Sequence, residues 1–340
     1  MTTNRKRRLV WQLPFLTLLI VGTILIIRQQ QSAPYQKCSG FIFGTTYNVT
    51  YQYPDDIQQE LVSKLNEVDN TLSMFNEKSV ISQVNNNKPA KLNKLFLEVF
   101  NMARQISDDT AGSFDITVAP LVNAWGFGFK KGEMPDTRTI DSLLAFVGHE
   151  KVSYDGQRIV KRDPRIMLDC SAIAKGYGAD LLARLLDDKG IRNYMVEIGG
   201  EIVTRGVSEK RVPWKIGVTK PTDDPLATSG ELQTVLNVTD KAMATSGNYR
   251  NFYYKGGRKY AHTIDPKTGR PVQHNILSAT VLADHCARAD AYATAFMVMG
   301  LQKAQKVLER NPELMAYFIY DDNGQNKVWF SPSLKDKIQK

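Results

Sequence analysis

The chain has 340 residues, 42% of them apolar and 23% charged, with 23 Gly and 14 Pro. That balance excludes a disordered or collagen-like chain, and three Cys exclude a disulfide framework. The net charge of +9 suggests a nucleic-acid or membrane partner only if the cations lie on the folded body.

They do not. Arg5, Lys6, Arg7, Arg8 and Arg28 precede every acid in the chain, and subtracting these five leaves +4 on the remainder. No basic, aromatic-interleaved patch stands outside that tail, which argues against nucleic acid. Residues 9–27 carry no charge. As a helix they would measure roughly 28 Å at about 1.5 Å per residue, near the thickness of a bilayer core. The cations before them predict a cytoplasmic tail over residues 1–8 and one transmembrane helix over 9–27, with the rest exported. The run is long for a signal peptide and lacks a clear small-x-small cleavage site, which favours an uncleaved anchor. Residues 28–40 read as a polar linker, and 41–335 as one folded unit.

In that unit residues 47–51 alternate and read as a strand. Pro54 opens a helix with Ile57, Leu61, Leu65 and Val68 on one face. Residues 94–107 predict a second helix, with Leu95, Val99, Met102 and Ile106 inward. A third runs over 173–188 and ends at Gly190. Strands flank Gly199-Gly200, a hairpin crosses Gly256-Gly257, and 276–283 is a strand. A helix follows over 287–301, and a last hairpin turns at Asp322-Asn323-Gly324. The elements intermix without a βαβ rhythm, so the fold class is α+β with largely antiparallel sheets.

Several segments carry candidate chemistry. Ser113, Phe114 and Asp115 follow Gly112 and offer a carboxylate and backbone N–H groups beside an aromatic; a capping Asp after a helix-ending Gly explains them equally. Asp169 ends a short apolar run before a helix that carries Ala172 and Lys175. A helix start with a nearby cation suits phosphate, and a simple N-cap is the alternative. No Walker loop is present, because the glycines follow Lys175. Asp290 and Thr294 are four apart, so both oxygens share one helix face. Hard oxygen donors of this kind suit Mg²⁺. His262, Thr263 and Ile264 precede the turn at Asp265. The four histidines do not form a zinc pattern.

Taken in order, these segments resemble the ApbE family of FAD:protein FMN transferases. The matching pieces include Gly44-Thr45-Thr46-Tyr47, Leu72-Ser73-Met74-Phe75, Glu197-Ile198-Gly199-Gly200 and Thr245-Ser246-Gly247-Asn248-Tyr249-Arg250, besides those above. Phe43 stands where the family often has Met, Cys170 where it often has Gly, and no lipobox precedes Cys38. The resemblance implies cleavage of FAD and attachment of FMN through a phosphoester to a Ser or Thr of an acceptor protein, such as a membrane redox subunit. AMP leaves and Mg²⁺ assists. It further implies that Phe43, Phe75, Ser113, Phe114, Asp115, Asp169, Lys175, His262, Thr263 and Ile264 line FAD. Ala172 (by its carbonyl), Asp290 and Thr294 would hold Mg²⁺. A hydroxyl nucleophile needs a base; His262 is the first choice and His285 the second. An FAD pyrophosphatase, with water as nucleophile, and a non-catalytic flavin-binding module are the alternatives. The expected location is the periplasmic side of a bacterial inner membrane, where Cys170 and Cys286, each beside a metal-site motif, could pair.

Overall fold

The computed structural model describes residues 14–25, 33–128, 134–221, 231–248, 252–255 and 258–339. Helix α1 is described over residues 14–25. A bilayer core is about 30 Å thick, and no described helix is long and apolar enough to cross a membrane. Of the span expected over 9–27, residues 14–25 are described and are helical. Its other positions, with Arg5, Lys6, Arg7 and Arg8, lie outside the described residues.

Strands β1 (Tyr35–Ile42) and β2 (Thr45–Gln52) form the first hairpin. Its turn residues Phe43 and Gly44 both have positive φ, 51° and 74°, as a turn matched to strand twist requires. Strand β1 thus occupies residues 35–40, which were expected to be linker. Helix α2 (Gln58–Leu72) starts four residues after Pro54. There the Asp56 carboxylate accepts the Gln58 N–H at 2.9 Å and the Tyr51 hydroxyl accepts that of Ile57 at 3.1 Å. The expected stripe of Leu61, Leu65 and Val68 is buried.

Helices α3 (Val80–Asn85) and α4 (Lys94–Asp109) follow. The buried face of α4 is Phe96, Val99, Phe100, Ala103 and Ile106. Leu95 and Met102 only flank it, so the expected stripe is rotated. The larger Phe rings take the centre because they bury more apolar area.

Short helices α5 (Ala119–Ala124) and α6 (Thr137–Leu144) precede a ribbon of β3 (Val152–Tyr154) and β4 (Ile159–Lys161). Helix α7 (Ser171–Asp188) leads through Gly190, with φ 74°, to the hairpin β5 (Tyr194–Ile198) and β6 (Glu201–Arg205). Strands β7 (Trp214–Thr219) and β8 (Leu232–Val238) pair as a ribbon, followed by β9 (Lys241–Gly247). Two further ribbons pair β10 (Phe252–Lys255) with β11 (Arg258–Ala261), and β12 (Ile264–Asp265) with β13 (Arg270–Pro271). The chain closes with β14 (Ile276–Ala283), α8 (Cys286–Met299), α9 (Leu301–Arg310), β15 (Met315–Asp322) and β16 (Gln325–Phe330). One helix was expected over 287–301; Gly300, at φ 77°, divides it from α9.

The main sheet has eight strands in the order β1-β2-β5-β6-β9-β14-β15-β16, and every neighbouring pair is antiparallel. Successive side chains of a strand face opposite ways. Accordingly Val281 and Ala283 join the cluster containing Phe96, Ile173 and Phe296, while Leu282 joins Trp214, Ile216 and Leu236 of the β7–β8 ribbon. The sheet is thus covered by helices on one face and by a ribbon on the other. That makes β14 apolar on both sides, as a doubly covered strand must be. Helices α7 and α8 lie side by side on the helical face. All three Cys are buried and free. Cys170 belongs to the larger helix–sheet cluster and Cys286 to its neighbour, and the pairing considered for them is not formed.

Candidate functional site

A cavity of about 410 Å³ opens where the N-terminal turns of α7 and one face of α8 meet the strand ends, within the size range of small-ligand sites. Its floor comes from Ala172 and Lys175 on α7, Asp290 and Thr294 on α8, and Gly199 and Glu201 at the β5–β6 turn. One wall is the segment Ser113, Phe114 and Asp115, joined by Asp169 and Ser171. The facing wall is His262, Thr263 and Ile264, with Thr245, Ser246 and Gly247 from the end of β9. Met74, Phe75 and Phe127 form the rim.

Local chemistry explains each wall. Gly112 takes φ 77° after the end of α4 and turns the chain into the cavity. Asp115 accepts the Thr117 N–H at 2.8 Å, the Thr117 hydroxyl at 2.7 Å and the His149 N–H at 2.8 Å. Its carboxylate is therefore occupied in bracing its own loop, the capping alternative weighed above. His149 stands behind it, and hydrogen bonding to Asp115 and Asp108 outweighs burial to raise the imidazole pKa. Asp169 accepts the Ser171 N–H at 2.7 Å at the start of α7, while Cys170 holds the N-cap position. Thr263 donates its hydroxyl to Asn248 at 2.8 Å, tying the link between β11 and β12, which carries His262, to the end of β9. The His262 ring meets Phe127 edge-on, with centroids 6.4 Å apart.

The floor concentrates charge. Lys175 Nζ lies 3.3 Å from Glu201 Oε1 and 3.9 Å from Asp290 Oδ2. The Lys175 side chain is 28% exposed, whereas those of Glu201 and Asp290 are 5% and 7% exposed. The ammonium thus faces the cavity above two sealed carboxyls. Burial pushes the Glu201 carboxyl up to about 8 against the pull of Lys175. Burial also raises that of Asp290, opposed by Lys175 and the Gly176 N–H. For Lys175, burial acts against the ammonium, but Asp290 and Glu201 outweigh it and the pKa rises. Glu201 Oε2 is buried without a hydrogen-bond partner. A buried polar atom left unpaired costs free energy, so the floor is short of one donor or cation.

That shortage bears on metal binding. No cluster of three or more His, Cys, Asp or Glu able to hold a metal occurs among the described residues. An all-protein transition-metal cage is thus absent there. The Asp290 carboxylate, Thr294 hydroxyl and Ala172 carbonyl instead offer a few hard oxygens, as suits Mg²⁺, which keeps waters and substrate phosphates in its shell. Glu201, whose buried Oε2 has no hydrogen-bond partner, stands 3.3 Å from Lys175 beside this set.

The cavity brings together every expected site residue except Phe43. Phe43 sits in the β1–β2 turn and packs beside Gly178 of α7, where an added Cβ would lie 3.0 Å from its ring; it is not among the lining residues. His285 is the exposed N-cap of α8 and also lies outside the lining, so of the two candidate bases only His262 faces the cavity. Tyr249 and Arg250 lie outside the described residues. Sequence reasoning missed Glu201, whose signal is a carboxylate entering a short apolar strand directly after Gly199-Gly200. It also missed Asp180, a carboxylate one turn beyond Gly176 on the buried face of α7.

Comparison with known proteins finds relatives over most of the chain. The sequence profile of the ApbE family matches residues 43–318. The chain is 36% identical over 332 residues to the FAD:protein FMN transferase of Vibrio cholerae serotype O1, covering 94% of this chain and 98% of that protein. It is 34% identical over 289 residues to the protein of that name in Escherichia coli K12, covering 82% of this chain and 81% of the relative. Among solved structures, Flavin Transferase ApbE from Vibrio cholerae superposes with a TM-score of 0.80 at 36% identity, covering 90% of this chain and 99% of that one. The apo Pseudomonas stutzeri flavinyl transferase ApbE gives 0.80 at 30% identity, covering 90% and 97%. With the profile and full-length relatives matched across the same elements that build the cavity, the chain belongs to the ApbE family.

Proposed function

We propose that the chain is an FAD:protein FMN transferase. The observation that carries this reading is the convergence on one cavity of a cation over two carboxyls, a histidine on the facing wall and an aromatic rim. A hydroxyl oxygen of an acceptor Ser or Thr bonds to the FMN phosphorus, the pyrophosphate P–O bond breaks, and AMP leaves with the bridging oxygen. Asp290, Thr294 and the Ala172 carbonyl would hold Mg²⁺, which neutralises charge on the pyrophosphate when bound. Lys175 adds a second positive centre on the same phosphates. A ring nitrogen of His262 accepts the proton of the attacking hydroxyl. Phe75 and Phe127 at the rim offer flat faces to the flavin or adenine ring, and the braced loop at Ser113, Phe114 and Asp115 closes the opposite side.

The uncharged run 9–27 behind Arg5, Lys6, Arg7 and Arg8 supports an N-terminal anchor. It would leave the cavity on the periplasmic side of the inner membrane, facing membrane redox subunits as acceptors. Purified protein incubated with FAD, Mg²⁺ and a Ser/Thr-bearing acceptor should give a fluorescent acceptor band that survives denaturation. Release of FMN and AMP with no labelled acceptor would instead identify a pyrophosphatase.

A further inference from the structure

Helices α7 and α8 are locked by a reciprocal pair of contacts. Asp180, on α7 and 4% exposed, accepts the Cys286 N–H at 2.7 Å through one oxygen and the Ala287 N–H at 2.9 Å through the other. These are first-turn donors of α8, which an isolated helix leaves unsatisfied. The N-cap residue of α8, His285, makes no side-chain cap bond. Asp180 therefore caps a helix to which it does not belong. In return Asp290 of α8 accepts the Gly176 N–H of α7 at 3.2 Å. Gly176 and Asp180 are one turn apart on α7, as are Cys286 and Asp290 on α8. The two contacts thus form a ladder across the helix pair.

Between the rungs the backbones touch. A Cβ on Gly176 would lie 2.5 Å from the Cys286 carbonyl oxygen, a separation that only a displaced α8 could relieve. Each candidate metal donor hangs from this ladder: Ala172 is one turn before Gly176, and Asp290 and Thr294 are the first and second turns beyond Cys286. Sliding or lifting α8 by an ångström would separate the Ala172 carbonyl from the Asp290 and Thr294 oxygens.

We propose that Asp180 is a positioning residue for the metal site: by capping α8 from α7 it sets the spacing between the Ala172 carbonyl and the Asp290–Thr294 pair. This rests on the transferase reading, in which those oxygens hold the cation. Groups that orient metal ligands typically carry about 10- to 100-fold in metal affinity, and the Asp180 rung holds the ligands' whole helix.

The test is an electron paramagnetic resonance titration of Mn²⁺ into the full chain with FAD, for wild type, Asp180→Asn, Gly176→Ala and Val307→Ala. Val307 is buried in α9, and its truncation lowers the melting temperature without touching the ladder. Asp180→Asn and Gly176→Ala should each raise the Mn²⁺ dissociation constant about tenfold or more, while Val307→Ala leaves it within twofold. Where Asp180→Asn does not fold, Gly176→Ala carries the test alone. A wild-type dissociation constant in either ladder variant, or an equal loss in Val307→Ala, overturns the positioning role. No Mn²⁺ binding by the wild-type chain overturns the metal assignment itself, and this inference with it.

Discussion

The floor of the cavity, where α7 meets α8, and its rim, where Met74, Phe75 and Phe127 stand, are held in different ways. Asp290 and Glu201 on the floor are 5% and 4% exposed, whereas Phe75 on the rim is 71% exposed. The floor is fixed by backbone contacts between two helices pressed against the sheet. The rim stands on loops, Phe75 beyond the end of α2 and Phe127 beyond the end of α5, where its ring stacks on Tyr253 with centroids 5.2 Å apart. In the proposed function, the charge that meets a cation is placed on the rigid part, and the ring faces that admit and release a large ligand stand on the open part. A site that stabilises developing charge needs preorganised groups there, whereas aromatic contacts tolerate small displacements.

The contrast can be broken from either side. Asp290→Ala should have the largest effect, a fall in flavin transfer of about a thousandfold, the upper range for loss of one preorganised group. Single-turnover FAD cleavage measures it, and a loss below tenfold would remove Asp290 from the chemistry.

The second effect is on stability and concerns pH. The Glu201 carboxyl rises from its ordinary value near 4.5 to about 8 on folding, chiefly through burial. Between those values the folded chain holds a proton that the unfolded chain has released. This group's stabilising contribution is therefore complete below about pH 4.5 and is lost as pH rises through about 8. Denaturant midpoints of the metal-free chain should fall across that window, by at most about 1.4 kcal/mol per pH unit, and Glu201→Gln should flatten the trend. An unchanged slope in the variant would mean that Glu201 is already ionised on the floor.

The smallest effect is expected at the rim. Phe75→Ala should raise the KM for FAD about fivefold with little change in kcat, the loss of one ring contact. A drop in kcat matching that of Asp290→Ala would show that rim and floor are not separate in function.

Much of this layout was legible along the chain. Helical spacing located α2, α4 and α7, and the alternating or β-branched runs located β2, β5, β6 and β14, because periodicity reports which face is buried. The order of short motifs located the cavity walls. Glycine breaks were harder to read. Gly190 ends α7 as expected, but Gly300 lies within a run expected to be a single helix and divides it in two. In an apolar stretch a Gly can be tolerated inside a helix or can end it, and only packing decides. Phe43 shows the converse: its motif neighbours line the cavity, while its own positive-φ turn carries the ring to Gly178 instead.

The α+β class, the unevenness of the charge and the residue types from which the site is made can all be read along the chain. These are properties of composition and short-range spacing. Only the tertiary structure decided that Lys175, Glu201 and Asp290 share one floor, that His262 and not His285 faces it, and that Asp180 caps a helix more than a hundred residues away. Those facts depend on how α7, α8 and the β5–β6 hairpin pack on one sheet. No local pattern encodes such contacts, because the atoms that meet are distant in the chain and their pairing is set by burial of the faces between them.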